Sequence, residues 1–585
     1  MKIRQIGKYD GDIIKTIIEN RDIDDVELFL NPNDKDDLDA FSLNNMKLGA
    51  EILLAHVNVD SNISILVDPD ADGFTSASII YQYIKKINSE AKIEYFLHDS
   101  KAHGLTEKIL SQVAKSETEI LVIPDAASND EEGINRLYAM GIEVLIIDHH
   151  EVDDIPELGI IINNQFESNE ETNKNLVGAG MVYKFCQALD SILGENYADD
   201  FFDLVAIGQV GDSSDISENE VRNLVFKGLG NIQNEFVKVV LKDHFGSLDD
   251  IAPRNLSFSI IPLINSVVRV GTMEEKDYLF RALNNIDVDK TYRVTKRKKN
   301  KTTGKFDSFE IDQTLYEYTY DICKRVKNRQ ASLVKKTMAK LDKDIDNSGG
   351  IAIGLLESSE HGSITGLVAN KIASKYQKPA LLLHYIENDG RGKYVGSGRG
   401  NTKVLESLKD WCNETGLVEF AQGHANAHGI SIFEENFEAF KEETRKIEKQ
   451  EFVYEVDLHL HGRHDIDEVL KVEEYKHLFG GKVHDPLFAF TGISVKKEYV
   501  RQRGSMLTIF DRGLEFVMFG APEGLYESLT NNFDEYLTLD LVGRPGVNTW
   551  GNRIKPQIVL ADLERNEEPI EIQETEKVTA ETLVF

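Results

Sequence analysis

The sequence predicts an α/β protein with four parts: a parallel-sheet domain, a long connecting helix, a second α/β domain and a β-rich carboxyl-terminal region. Three observations predict it. From about residue 60 to 165, continuous apolar runs of strand length alternate with stretches of helical spacing, as in a parallel sheet covered on both faces. Residues 306–348 contain neither Gly nor Pro and repeat apolar residues mostly three, four or seven apart, which predicts one long helix. From about 453 the pattern turns to β alternation between turn residues, which reads as a small barrel or sandwich.

The elements follow in order. After an acidic segment over 1–50, the strands are ISILV (63–67), KIEYFL (92–97), EILVIPD (119–125), VLIIDHH (144–150) and GIIINN (159–164). Between them SASIIYQYIKKI (76–87), TEKILSQVAK (106–115) and EEGINRLYAM (131–140) have helical spacing. Ile311, Leu315, Tyr318, Ile322, Val326, Leu333, Met338, Leu341 and Ile345 mark the long helix, up to about 60 Å at 1.5 Å per residue. GIAIGLLE (350–357), ITGLVANKIASKY (364–376) and PALLLHYI (379–386) build the second α/β unit. DPLFAFTGISVKKEYV (485–500) and SMLTIFDRGLEFVMF (505–519) carry the β alternation. The expected boundaries are 1–50, 51–305, 306–348, 349–452, 453–564 and a flexible acidic tail over 565–585.

The chain has no run of 18 apolar residues and no apolar signal at its amino end, so the expectation is a cytoplasmic protein without a membrane anchor. Three scattered cysteines, with no CxxC, fit a reducing compartment. The net charge of −34 excludes a protein that grips nucleic acid with its whole surface and allows only a local channel. One run opposes that charge: Arg293 to Lys305 carries seven basic residues and no acidic one. A solvated loop and a phosphate contact explain it equally well.

VDPDADGFTS (67–76) places three aspartates at alternate positions. Such carboxylates repel one another unless a cation or partner sits between them. An EF-hand would need a Glu at the twelfth position, where Ile79 stands, and an upstream helix, where a strand is expected. Calcium by that route fails. Parallel sheets bind ligands beyond the carboxyl ends of their strands, and Asp68, Asp70, Asp72, Asp125, Asp148, His149 and His150 all fall at such ends. Asp212 closes another apolar run, DLVAIGQVGD (203–212), and is read with the others as a strand end. Carboxylates with one or two imidazoles suit Mg²⁺ or Mn²⁺ better than zinc, and two such ions can drive in-line phosphoryl displacement.

Here the sequence resembles the DHH phosphoesterase superfamily, and within it the RecJ family of exonucleases. DPDADGFTS, PDAAS (124–128), IIDHH (146–150) and AIGQVGD (206–212) are similar to its four motifs in order. LVGAGMVYK (176–184) and IPLINSVVRVGT (261–272) also fit. HGSITGLVANKIA (361–373), GSGRG (396–400) and QGHANAHG (422–429) resemble the DHH-associated domain. LFGGKVHDPLFAF (478–490) and VNTWGNRIKPQIVLADL (547–563) resemble an OB-fold. The resemblance spans about 50 to 564.

It implies a 5′→3′ exonuclease of single-stranded DNA, using two Mn²⁺ or Mg²⁺ ions, with roles in repair and recombination. It implies a monomer that touches replication or repair proteins. Asp70 and Asp72 would each hold one ion, Asp125 would bridge, His149 and Asp212 would serve the second, and Asp68 would join the shell. His150 would contact the scissile phosphate or protonate the leaving group, with Asp148 orienting an imidazole. Ser397 and Arg399 would hold phosphates, His424 would face the site, and Asn265 and Arg269 would lie near the DNA path. Two departures stand out: PDAAS lacks the usual glycine-containing turn, and QGH puts Gln422 where the family has glycine. Two other readings are a phosphodiesterase for short oligonucleotides or cyclic dinucleotides, which are much shorter proteins, and a non-catalytic replication scaffold, in which the ligand positions would be empty.

Overall fold

A computed structural model describes residues 1–152, 154–166, 172–299, 303–341, 344–357, 359–388, 390–447, 453–463, 465–531, 534–548 and 555–566. The chain forms two units: Leu28–Phe452 with His477–Val483, and Met1–Glu27 with Val453–Lys476 and His484–Phe585. The sequence-based expectation kept 1–50 together as an amino-terminal segment. In the structure, Lys2–Gln5 pairs in parallel with Val453–Val456, a contact between distant segments that no local pattern encodes. The expected acidic tail beyond residue 566 lies outside the described residues, as do Lys301 and residues 549–554.

The larger unit begins with a five-stranded parallel sheet. Its strands are β1 (Ile63–Val67), β2 (Ile93–Leu97), β3 (Ile120–Pro124), β4 (Glu143–Asp148) and β5 (Ile160–Asn163), in the spatial order β2-β1-β3-β4-β5. Every residue of β1 and β3 is buried, which is why these strands read as unbroken apolar runs. Against the sheet pack α1 (Ala71–Ile87) and α2 (Gly178–Leu193), and α3 (Phe202–Gly211) packs on these two helices. The run 203–211, expected like the others to be a strand, is the helix α3. Nearly all its side chains are buried, so it shows no amphipathic stripe to separate helix from strand.

Next come α4 (Ile260–Val270) and α5 (Met273–Leu283), then β6 (Tyr292–Lys299) paired antiparallel with β7 (Phe306–Gln313). The long helix, α6, spans Leu315–Leu341, about 40 Å at 1.5 Å per residue. It is shorter than the 306–348 expected, because 306–313 is the second strand of the ribbon. Absence of Gly and Pro permits a helix and does not require one. Arg329 anchors α6 to the Val270 carbonyl (2.6 Å) and Glu275 (2.7 Å).

The second α/β part carries β8 (Ala352–Leu356), α7 (Thr365–Tyr376), β9 (Ala380–Asn388), β10 (Arg391–Arg399), β11 (Phe420–His424) and β12 (Ala427–Phe433). The order is β11-β12-β10-β9-β8, with only β8 and β9 parallel. One face packs Leu381, Leu383, Ile430 and Phe440; the other packs Leu382 and Ala380 against Val368 and Ile372 of α7.

The smaller unit holds a seven-stranded sheet ordered Leu458–His461, Phe488–Lys496, Tyr536–Asn548, Lys555–Arg565, Leu514–Phe519, Met506–Asp511 and Val500–Arg503. Phe488, Phe490, Phe516 and Leu541 form its buried side. Arg21 ties the amino-terminal residues into this unit through Asp457 (2.7 Å) and the His484 carbonyl (2.8 Å). Among the described residues, no helix is long and apolar enough to cross a membrane.

Candidate metal centre and its cationic rim

The carboxyl ends of β1, β3 and β4 and the amino end of α1 meet at one edge of the parallel sheet. Asp70 caps α1, its carboxylate accepting from the Gly73 amide at 2.9 Å. Asp72 lies in the first turn, a position the helix dipole favours for an anion. Its Oδ1 accepts from the Ala179 amide at 2.9 Å, and its buried Oδ2 has no hydrogen-bond partner. Gly208 of α3 allows this approach, since a Cβ there would lie 2.4 Å from Asp72 Oδ1.

Asp125 follows β3 with φ of +67°. Its buried Oδ1 also lacks a hydrogen-bond partner and stands 3.1 Å from His149 Nε2. Gly178 at the start of α2 leaves room for that carboxylate, which a Cβ would crowd at 2.6 Å. The same His149 Nε2 is 3.9 Å from Asp72 and 3.7 Å from Asp212, the residue ending α3. Asp68, Asp70 and Asp125 bring oxygens within 4.8 Å of one another, as do the donor atoms of Asp72, His149 and Asp212.

Burial raises Asp72 and Asp125 well above the usual carboxylate range, and neighbouring carboxylates add to it: Asp212 and Asp70 for Asp72, Asp72 and Asp70 for Asp125. Burial and then Asp70 raise Asp212 to about 7. Burial, with His150 nearby, lowers His149 to about 4, so its ring is neutral and free to donate a lone pair. Buried, mutually repelling carboxylates with orphaned oxygens and a neutral imidazole fit divalent cations. Asp72, Asp125, His149 and Asp212, with Asp70 and Asp68, could hold them.

Asp148 has a different task. Its Oδ1 accepts from His150 Nδ1 at 2.8 Å and from the His149 amide at 2.7 Å, and Oδ2 accepts from the Ser128 amide. Burial would raise this carboxyl, but its bond and charge contact with His150 outweigh that and hold it well below its ordinary value. Burial would likewise lower His150, and the Asp148 partnership instead lifts it to about 9.

The PDAAS turn places Ala127 at φ of +79°, a left-handed conformation that glycine adopts without cost. Gln422 lies in extended β11 opposite Gly429, and it is Gly423 that takes the positive φ, +120°. The substitution at 422 therefore leaves the positive-φ position of this strand to the glycine that remains.

The structure brings His424 to the site, with Nε2 4.0 Å from Asp212 Oδ1. Ser397 bonds Thr365 at 2.8 Å, and the Arg399 guanidinium packs over Gly366. Asn265 and Arg269 share one face of α4, and the Asn265 oxygen is buried without a partner.

Sequence reasoning missed two residues of the loop after β2. His103 Nδ1 lies 2.6 Å from Asp68 Oδ2. Lys101 is lowered to about 8, by burial and then by Arg269 and Arg399. Lys101, Arg269 and Arg399 thus form a desolvated cationic rim. The only sequence signal for Lys101 and His103 was their place just after the strand that ends at Leu97.

This fold and site define a DHH-type protein: residues 62–209 match the N-terminal domain of the DHH family. The chain is 34% identical over 582 residues to a Bacillus subtilis (strain 168) protein provisionally named as the SPbeta prophage-derived single-strand DNA-specific exonuclease YorK. That match covers 96% of this chain and 98% of the relative. The single-stranded-DNA-specific exonuclease RecJ of the same organism is 24% identical, over 94% of this chain and 67% of its own. The chain therefore belongs to the RecJ-like branch of the DHH family. The crystal structure of RecJ in complex with Mn²⁺ from Thermus thermophilus superposes with a TM-score of 0.66 at 19% identity, covering 90% of this chain and 72% of that one. The corresponding Mg²⁺ complex gives 0.65 at 18% identity, over 95% and 75%.

Proposed function

We propose that the protein hydrolyses single-stranded DNA from its 5′ end to mononucleotides, by a two-metal mechanism, in DNA repair and recombination. The observation that carries this reading is one edge of the sheet where two acidic donor groups, Asp68–Asp70–Asp125 and Asp72–His149–Asp212, lie beside a rim of Lys101, Arg269 and Arg399. Bound Mn²⁺ or Mg²⁺ would supply an activated water and neutralise charge on the phosphate. Asp125 belongs between the two groups, with Asp70 on one side and Asp72, His149 and Asp212 on the other.

The chain's own groups do the rest. His150, kept protonated at neutral pH by Asp148, donates to the scissile phosphate or to the leaving oxygen. Arg399 and Arg269 present guanidinium groups that bind phosphate oxygens in pairs, and Lys101 adds a point charge. Ser397 and Asn265 supply hydrogen bonds along the strand, and His424 faces the site from the second α/β part. Exposed Arg501, Arg503 and Tyr499 of the seven-stranded unit support its reading as an OB-type single-strand binder. The reading is of a cytoplasmic monomer that meets replication or repair proteins.

The test compares 5′- and 3′-labelled single strands with Mn²⁺, using wild type, Asp125→Ala and Asp212→Ala. Wild type should release 5′-labelled mononucleotide first. Both variants should lose cleavage while still binding the strand, since the rim and the seven-stranded unit are untouched. Early loss of the 3′ label, or substantial cleavage by both variants at matched folding, would overturn the reading.

A further inference from the structure

We propose that the β6–β7 ribbon is a second contact for single-stranded nucleic acid, apart from the metal site. This inference rests on reading the protein as one that acts on single strands. Among the described residues the ribbon pairs only with itself, through eight residue pairs from Tyr292↔Gln313 to Lys299↔Phe306. Its root is fixed. Tyr292 stacks on Tyr318 with centroids 4.5 Å apart and 7° between planes, and Tyr278 packs edge-on against both. Lys296 and Gln313 both bond Asp321, at 2.5 and 2.9 Å, and Arg293 pairs with Asp312 at 3.0 Å. The acids near the root are thus consumed by root cations.

The distal half differs. Arg297, Lys298, Lys299 and Lys305 are exposed, and on the partner strand Phe306, across from Lys299, and Phe309, across from Lys296, stand 65% and 44% exposed. Directly opposed residues share a face of the ribbon. One face therefore carries Phe309 and Lys298, the latter opposite Asp307, beyond the root cation Lys296, and the other carries Arg297 and Lys299 with Phe306. Alternate residues of a strand recur about every 6.6 Å on one face, so each face interleaves cations with an aromatic ring.

Two facts choose the occupant. On a chain of net −34, residues 292–313 hold seven basic and three acidic side chains, so a polyanion repelled elsewhere is attracted here. The phenyl rings need an apolar partner, and an unpaired base offers one while a duplex keeps its base faces stacked inside. A single strand satisfies both. The ribbon root at Tyr318 lies 11 residues along α6 from Arg329, which bonds the carbonyl next to Arg269. That is about 16 Å at 1.5 Å per residue, so a strand held in the rim must extend several nucleotides before it meets the ribbon.

The test uses the full chain with chelator, so that binding is read without cleavage. Binding of fluorescein-labelled oligo(dT) of about 30 nucleotides is compared with a tetranucleotide and with a duplex, at several salt concentrations. The variants are Arg297→Ser/Lys298→Ser/Lys299→Ser and Phe306→Ser/Phe309→Ser, all at exposed positions outside the cores. Each should weaken binding of the long strand about tenfold, leaving the tetranucleotide unchanged. The charge variant should also flatten the salt slope, by up to about 0.7 per lost phosphate contact.

Unchanged binding of the long strand by both variants overturns the proposal. So does an equal loss on duplex from the charge variant with no effect of the phenylalanines, which would describe a general polyanion patch. Ribbon-dependent binding by a protein that cleaves nothing with Mn²⁺ would keep the ribbon and remove the nuclease reading. End-dependent cleavage with ribbon-independent binding would do the reverse.

Discussion

His150 Nδ1 lies 2.8 Å from Asp148 Oδ1, and the same oxygen accepts the backbone amide of His149. One buried carboxylate therefore sets the ring of one histidine and the backbone of the other. Asp148→Asn keeps the shape and removes the charge that holds His150 near 9. We expect cleavage to fall by about 10²- to 10⁴-fold, the usual worth of a positioned proton donor. We also expect the alkaline limb of the pH–rate profile, set near 9 in wild type, to move to lower pH. A variant with the wild-type limb would show that His150 does not supply the proton.

The metal centre also predicts how stability changes with pH. In the metal-free fold, burial and Asp70 raise Asp212 to about 7, against about 3.9 in an unfolded chain. The folded form binds that proton more tightly, so the contribution is fully present below about pH 4 and lost as pH rises through about 7. Asp212→Asn cannot lose it. In thermal melts with chelator, the variant's melting temperature relative to wild type should climb between about pH 4 and 7. Saturating Mn²⁺ should reverse the order at neutral pH by stabilising wild type alone. A constant difference across that window would mean that Asp212 is not held in the repulsive cluster.

Ala127 offers a test of the turn itself. At φ of +79° a non-glycine residue costs about 1–2 kcal/mol. Ala127→Gly should raise stability by about 1 kcal/mol in denaturant titrations, with cleavage unchanged. No gain would mean that the surrounding turn relieves the strain.

Much of the site was legible because it lies where strand ends must lie. Asp68, Asp70, Asp72, Asp125 and Asp148–His150 follow apolar runs whose burial leaves one place for charge, at their carboxyl ends. Asp212 was found for a mistaken reason, as the end of a strand, because a helix buried all round has no stripe. The β6–β7 ribbon was not seen at all. Only its root covers one face, at Tyr292, Val294, Lys296, Ile311 and Gln313, so the alternation is too short to stand out from the charged run that follows. Lys101 and His103 sit in an irregular loop, where spacing says nothing about which side chains turn inward. The pairing of Lys2–Gln5 with Val453–Val456 is set by contacts between distant segments and leaves no local trace.

The central claim is that hydrolysis starts from a free 5′ end drawn to the carboxylate cluster between the cationic rim and His424. A covalently closed single-stranded circle offers the same phosphates and bases without an end. The purified full chain with Mn²⁺ should degrade a linear single strand to 5′ mononucleotides from the first time points and leave the circle intact. Cutting of the circle at a rate comparable to the linear strand would contradict the claim and make the protein an endonuclease.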